Sequence, residues 1–292
     1  MTTTPAGSWQ RPPSEAQRQA DTHVASGDAY ALSGHRDAAL AEYRTALSID
    51  QGSVRAHLGM AAAKLPGVPY GTWLTRFHEL LRPDVYLEIG VASGRTIALA
   101  RPPTIAIGVD PLPTMVEPVS AQTHIFPEPS DTFFAERRLH GVIRDRPFDL
   151  AFVDGLHTFE QALRDFINLE TCSASRSVIV FHDTLPLDEP TQRRERVTQF
   201  WTGDVWKVVV CLRRYRPELV IFTIATPPSG LTVVTNLDPG SSVLRDAYDR
   251  IVERYRDAPF STIEASMEAD LCVVSNDWDL VQARLRAQGV VE

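Results

Sequence analysis

The sequence predicts an α/β fold, an open and mostly parallel sheet flanked by helices, with a small α-helical segment ahead of it. Three observations point there. Short apolar runs ending in acids or histidines recur between stretches of helical spacing, the alternation that builds a parallel sheet. The first of those runs leads into a glycine-rich turn, and the residues before it show helical spacing without a strand pattern. With 292 residues and 43% hydrophobic composition, the chain can bury one sizeable core and a small appendage.

Residues 1–15, with their Thr, Pro and Ser, read as a disordered tail. Residues 16–66 form the helical segment. Ala25-Ser26-Gly27-Asp28-Ala29-Tyr30, then Gly34, Ala39, Tyr43, Ala46-Leu47 and Ile49-Asp50, alternate small and large residues as a tetratricopeptide helix pair does, and Leu58-Gly59 with Ala62 look like the start of a second repeat. A repeat and a half cannot bury its own face. The segment must therefore pack on the rest of the chain, on a second copy in a homodimer, or on a partner.

The main domain is expected over residues 70–240 and opens on Tyr86-Leu87-Glu88-Ile89-Gly90-Val91-Ala92-Ser93-Gly94-Arg95-Thr96, an apolar run that reaches a glycine turn and then becomes helical. A continuous apolar run is the mark of a strand buried on both faces, and a turn that presses backbone against a ligand needs residues without a Cβ. A phosphate-binding loop would carry Lys and Ser/Thr after the last glycine, and a dinucleotide fingerprint a third glycine; neither is present. Thr104-Ile105-Ala106-Ile107-Gly108-Val109-Asp110 is the second strand. Its terminal acid lies about 20 residues past the turn, where nucleotide-binding sheets place a carboxylate on ribose hydroxyls; capping of the turn before Pro111 is the plainer role. His124-Ile125-Phe126 is the third strand, followed by Ser130-Asp131 at a helix start, a pair that also suits an N-cap.

The fourth strand runs from Arg146 to Asp154 with His157 three residues beyond it, ahead of a helix over Thr158–Leu169. Ser177-Val178-Ile179-Val180-Phe181-His182-Asp183-Thr184 repeats the pattern. In open α/β sheets ligands collect outside the carboxyl ends of the strands, so Gly90, Asp110, Asp154, His157, His182 and Asp183 should share one crevice. Thr191–Trp201 looks helical, and the apolar run Val205–Leu212 fits either element. Leu219–Ala225 and Leu231–Thr235 read as a hairpin around Thr-Pro-Pro-Ser-Gly, because a proline pair belongs in a turn. Residues 241–292 should form terminal helices that cover the core.

The net charge of −8 argues against a nucleic-acid partner. Arg193-Arg194-Glu195-Arg196 is a local basic exception, a solvated face or a clamp for an anionic substrate. No stretch shows a signal peptide's basic and apolar regions, and none reaches the roughly 20 apolar residues that cross a bilayer, so no membrane partner is expected. Cys172, Cys211 and Cys272 are widely spaced, without disulfide or zinc patterning, which suits a cytoplasmic location.

The acid-x-Gly-x-x-x-Gly turn from Glu88 to Gly94, with Asp110 in step behind it, resembles the cofactor site of class I S-adenosylmethionine-dependent methyltransferases. That resemblance implies a Rossmann-like, seven-stranded methyltransferase sheet. It also implies cofactor contacts by Glu88, Gly90, Ser93, Gly94, Asp110, Ser130, Asp131 and Asp154: Glu88 near the amino group, Asp110 on the ribose, Ser130 and Asp131 at the adenine. The strand ends Asp154-Gly155-Leu156-His157 and His182-Asp183 are similar to the metal-assisted O-methyltransferase branch, its macrocin-like and catechol-type members, over roughly residues 70 to 240. In that branch Asp154, His182 and Asp183 would bind a divalent metal and His157 would be the catalytic base. Where relatives carry a carboxylate or amide, this chain has His182, so the metal is Mg or Mn or a softer ion; a local hydrogen bond orienting Asp183 is the alternative.

The expected activity is methyl transfer from S-adenosylmethionine to a hydroxyl of a small metabolite, a sugar or vicinal diol in secondary metabolism. A histidine with an ordinary pKa near 6.5 can take the hydroxyl proton at neutral pH, and a cation beside the oxygen would lower the substrate's own pKa; a surface histidine at a helix start is the plainer role for His157. Two other readings remain: an enzyme on the same sheet that uses no metal or different chemistry, and a noncatalytic tetratricopeptide-type interaction protein.

Overall fold

The computed structural model describes residues 14–291, so most of the expected tail lies outside the described residues. Its end is already helical: Ser14 caps the first helix, its hydroxyl accepting from the Gln17 amide while the Gln17 side chain accepts from the Ser14 N–H. The chain divides into two compact units, residues 14–64 with Thr198–Phe200, and residues 65–197 with 201–291.

The first unit holds α1 (Glu15–Leu32), α2 (Arg36–Ile49) and α3 (Val54–Lys64). The small/large alternation is visible as packing. Tyr43 of α2 is buried against glycines of both neighbours, and a Cβ would lie 2.7 Å from its ring at Gly27 and 2.4 Å at Gly59. Its hydroxyl donates to Asp28 Oδ1 at 2.8 Å. Phe200 stacks on His57 within this unit, ring centroids 5.5 Å apart.

The second unit begins with α4 (Tyr70–Leu81) and then lays down β1 (Val85–Ile89), β2 (Ile105–Val109), β3 (Gln122–Phe126), α5 (Ser130–Ala135), α6 (Arg138–Ile143), β4 (Leu150–Val153), α7 (Phe159–Thr171), β5 (Val178–His182) and α8 (Trp206–Tyr215). The hairpin β6 (Val220–Ile224) and β7 (Leu231–Thr235) follows, then α9 (Val243–Asp246), α10 (Tyr248–Tyr255), α11 (Met267–Asp270), β8 (Val273–Val274) and α12 (Trp278–Ala287). The sheet order is β3-β2-β1-β4-β5-β7-β6-β8. Strands β1 to β5 pair in parallel, and β7 runs antiparallel to both β5 and β6. Every residue of β1, β4, β5 and β7 is buried, as strands covered on both faces must be.

Two apolar layers cover the sheet. On one face Phe159, Leu163 and Phe166 of α7 and Val208 and Leu212 of α8 meet Leu87, Val153 and Phe181. On the other, Trp73, Leu74 and Phe77 of α4 and Val281 and Leu285 of α12 meet Tyr86, Phe152 and Val180. Each such buried side chain contributes about 1.5–3 kcal/mol. The terminal helices belong to the same unit as the sheet.

Three expectations are corrected, and one open reading is resolved. An eighth strand, β8, extends the sheet by pairing Thr223 with Val273 and Ile224 with Val274; two residues leave no periodicity in a sequence. The chain after Gly94 makes only a 3₁₀ turn over Ile97–Leu99, because Leu99 and Ala100 amides reach back three residues and Pro102 soon ends the run. Thr191–Trp201 is a loop entered through a single 3₁₀ turn over Pro190–Gln192. The Thr191 carbonyl accepts from Thr202 and Gly203 and the Trp201 indole donates to the Arg193 carbonyl, so the backbone acceptors a helix would use are taken by side chains and distant amides. Val205–Leu212 proves helical, most of it in α8. Of the cysteines, Cys211 is buried while Cys172 and Cys272 are only partly so. No helix among the described residues is long and apolar enough to cross a membrane.

Candidate active site

At the carboxyl ends of the parallel strands lies a cavity of about 640 Å³, lined among others by Tyr70, Gly90, Ser93, Asp110, Ser130 and Asp154, within the range of roughly 300–1,000 Å³ typical of ligand sites. Gly90 carries φ 87° and Gly94 φ 82°. A Cβ on Gly90 would stand 2.0 Å from the Asp154 carbonyl oxygen, so this glycine is required for β1 and β4 to approach at their tips, and the bare backbone it leaves also faces the cavity. At Gly94 the added Cβ would meet the mobile end of Met115 at 2.6 Å.

Asp110 shapes the cradle. Its Oδ2 accepts from the amides of Val91 at 2.9 Å and Ala92 at 2.7 Å, and Oδ1 accepts from Leu112 at 2.7 Å. It therefore fills the turn-capping role while still lining the cavity. Glu88 does not reach the cavity. It is wholly buried, receiving hydrogen bonds from the Tyr86 hydroxyl at 2.6 Å and the Thr96 hydroxyl at 2.7 Å, and burial pushes its carboxyl up to about 8. It works behind the glycine turn, tying Thr96 to the middle of the sheet, because the alternation of side chains along β1 turns position 88 to the α4 face together with Tyr86.

Ser130 and Asp131 part company. Ser130 lines the cavity with its hydroxyl donating to Asp165 Oδ1 at 2.6 Å, and Pro129, not Ser130, occupies the N-cap. Asp131 turns away to Arg164, whose Nε donates to both carboxylate oxygens at 3.1 and 3.2 Å. Gln161 bridges Ser130, Asp131 and Asp165, and Asp165 is pushed up to about 6 by burial. Gln161 and Asp165 line the cavity from successive turns of α7, a spacing visible in the sequence only once the helix face is known.

The four remaining candidates meet. His157 Nε2 lies 3.3 Å from Asp154 Oδ1 and 3.1 Å from Asp183 Oδ2; His182 Nδ1 lies 3.3 and 3.4 Å from the same oxygens. Ligand atoms of Asp154, His182 and Asp183 all fall within 4.8 Å of one another. Asp183 sits at φ 58°, a left-handed conformation costly for a residue with a Cβ and one that collects at functional sites. Behind this group, Ser229 Oγ is 3.3 Å from His182 Nε2, and Tyr70 lies over the His182 ring at 4.3 Å. The Trp201 carbonyl accepts from His157 Nδ1 at 3.0 Å while its indole stacks on the imidazole at 5.2 Å. Tyr70, Trp201 and Ser229 were not foreseen, since each arrives from a helix start or loop with no local motif.

The charges explain the protonation states. Asp183 and Asp154 outweigh burial at His157 and hold it up to about 9; the same two carboxylates raise His182 well above its ordinary range. Asp154 is held far below the carboxylate range by the histidines despite its burial. With no cation between them, these carboxylates favour the charged ring at His157, the form that cannot take up a hydroxyl proton. The donor set of two carboxylate oxygens and one imidazole nitrogen fits a divalent cation, and its nitrogen favours Mn, Fe or Zn over Mg. The bare glycine turn and the cavity fit an adenosyl cofactor. In the basic run, Arg193 pairs with Glu189, and Arg194 with Glu160 and Asp204.

Residues 87–184 match the family model described as a methyltransferase domain. The stretch begins in β1 and ends just past β5, so it carries the strand tips around the cavity. The enzyme class expected from the sequence, an S-adenosylmethionine-dependent methyltransferase, stands on this match and on the class I sheet. No curated protein matches the chain. Among solved structures, the chain is similar to the O-methyltransferase TomG of Streptomyces achromogenes, involved in tomaymycin synthesis and solved with SAM (14% identity, 79% of this chain and 93% of that one, TM-score 0.45). It is also similar to an O-methyltransferase of Bacillus cereus in complex with SAH (14%, 65% and 96%, TM-score 0.38) and to an SAH-bound methyltransferase of Podospora anserina (17%, 78% and 99%, TM-score 0.39). Likeness at this level says nothing about substrate.

Proposed function

We propose that the protein transfers the methyl group of S-adenosylmethionine to a hydroxyl of a small metabolite, a sugar or vicinal diol, with a divalent cation held by Asp154, His182 and Asp183. The observation that carries this reading is the meeting of two carboxylates and two imidazoles beside the glycine cradle. A bound divalent cation supplies positive charge that lowers the acceptor hydroxyl's pKa and offsets the two carboxylates. With Asp154 and Asp183 so engaged, the field that keeps His157 protonated is relieved. The Trp201 carbonyl fixes the Nδ1–H tautomer, which leaves Nε2 to accept the hydroxyl proton. Gly90, Ser93 and Ser130 would hold the cofactor, with Asp110 keeping the turn in shape, and much of the rate comes from placing oxygen and methyl in line.

Within this proposal the three N-terminal helices act as a tetratricopeptide-like packing segment and the contact of a homodimer, the protein works in the cytoplasm, and the pathway is one of secondary metabolism. Labelled methyl transfer into a library of hydroxylated metabolites, with and without Mn or Mg, tests the reading. Incorporation into a vicinal diol that needs metal supports it; cofactor binding with no incorporation into any hydroxyl compound counts against it.

A further inference from the structure

One carboxylate oxygen on the wall of the cavity at the strand tips has no partner. Asp165, on the second turn of α7, is 1% exposed and lines that cavity. Its Oδ1 accepts from the Ser130 hydroxyl at 2.6 Å and from Gln161 Nε2 at 3.1 Å. Its Oδ2 accepts from nothing among the described residues, yet it is not sealed in: the fully enclosed side-chain atoms without partners there are His78 Nε2, Arg216 Nη2 and Thr235 Oγ1. Burial removes the water that would otherwise serve a carboxylate, so an oxygen left without a donor is uncommon. Oδ2 is the atom that Asp165 offers to the cavity.

The polar groups around it are already engaged with one another. Ser130 donates to Asp165 and accepts from Gln161 Nε2; Gln161 gives the same nitrogen to Asp131 and accepts from Arg164 on Oε1; Asp131 holds the Arg164 guanidinium with both oxygens. Two donors therefore fix Oδ1 and set the direction in which Oδ2 faces. The surfaces that adjoin it are apolar. A Cβ on Gly155 would fall 3.9 Å from Oδ2, and the next residue, Leu156, lines the cavity with 61% of its surface exposed. Pro129, next to Ser130, lines it as well.

We infer that Asp165 is a specificity-determining residue for the cofactor, its Oδ2 accepting a hydrogen bond from the exocyclic amine of adenine, with Leu156 and Pro129 as apolar walls beside the ring. The inference rests on the cofactor reading given above, and it moves the acid that recognises the base from Asp131, which is held by Arg164, to the neighbouring helix. S-adenosylmethionine carries three kinds of donor: the ribose hydroxyls, the ammonium of its methionine part and the adenine amine. An ammonium has three N–H groups and would meet one free acceptor among apolar neighbours here. The amine is the one donor attached directly to a flat, largely apolar ring, and a single acceptor between apolar walls is its complement. An N–H arriving at Oδ2 adds a third hydrogen bond to a carboxylate that burial holds up to about 6, and so favours its charged form.

The test compares two ligands by isothermal titration calorimetry on the whole protein at about pH 8, above the value to which burial lifts Asp165. One is S-adenosylhomocysteine; the other is its 6-deamino analogue, in which hydrogen replaces the amine. The wild type should bind the first about 10–100-fold more tightly, the worth of one hydrogen bond to a charged group. Asp165→Asn keeps the acceptor that Ser130 and Gln161 hold and turns the free atom from acceptor to donor, so the gap between the two ligands should close, chiefly by loss of affinity for S-adenosylhomocysteine. Equal binding of the two ligands by the wild type overturns the inference whatever the variant does, as does a gap that survives unchanged in Asp165→Asn. No binding of either ligand by the wild type would instead overturn the cofactor reading, and this inference with it.

Discussion

Gly90→Ala and Gly94→Ala should destabilise the protein unequally, although both remove a glycine from the same turn. Each position has φ above 80°, where an L side chain costs roughly 1–2 kcal/mol. At Gly94 that is most of the penalty, because the new methyl meets only the end of Met115. At Gly90 the methyl would fall 2.0 Å from the Asp154 carbonyl, which cannot rotate away, so the tips of β1 and β4 must part. Overpacking of that kind adds roughly 1–3 kcal/mol, for a total of about 2–5 kcal/mol. With about 2–4 °C of melting temperature per kcal/mol in a unit of this size, Gly94→Ala should lose about 2–8 °C and Gly90→Ala about 4–20 °C. Differential scanning fluorimetry with and without S-adenosylmethionine reads both effects, and Gly90→Ala should also lose the cofactor's stabilising shift. A Gly90→Ala protein that melts with the wild type and keeps that shift would refute the claim that the β1 and β4 tips jointly form the cradle.

Other consequences are as specific. His157→Ala should lower turnover by about 10²–10⁴-fold while the cofactor's melting shift persists; full activity would remove His157 from proton transfer. Exhaustive chelation should abolish activity and added Mn restore it, whereas unchanged turnover would reject the cation. Glu88 keeps its proton in the folded state up to about pH 8 but loses it near 4.5 unfolded, so its contribution is complete below pH 4.5 and fades as pH rises toward 8. Glu88→Gln should therefore flatten the fall of stability between pH 5 and 8 in urea titrations, and an identical slope would show the carboxyl to be charged. Arg216, 1% exposed, pairs with buried Glu170 at 2.6 Å; Arg216→Met should cost about 3–5 kcal/mol by stranding that carboxylate, and a loss below 1 kcal/mol in calorimetry would refute the pairing's part in stability.

The parallel strands were legible because burial on both faces writes itself as unbroken apolar runs, and the crevice because each run ends in a residue with chemistry. Asp154, His157, His182 and Asp183 were found that way and do meet. What the sequence hides is direction. Glu88 stands two residues from Gly90, yet the pleat sends it behind the turn; Ser130 and Asp131 are neighbours on a helix whose pitch points one into the cavity and the other at Arg164. Charge state is equally hidden, since His157 owes its proton to Asp183, 26 positions away in sequence and 3.1 Å away in space. Trp201 enters through a loop whose helical spacing is overridden by bonds from Thr202 and Gly203 to Thr191.

A crystal structure with S-adenosylhomocysteine and Mn, phased on the metal's anomalous signal, would decide the matter most directly. The cofactor should lie along Gly90, Ser93 and Ser130, with one anomalous peak at bonding distance from Asp154, His182 and Asp183 and the sulfur facing His157. Cofactor density outside that cavity, or a peak away from those three side chains, would contradict the account.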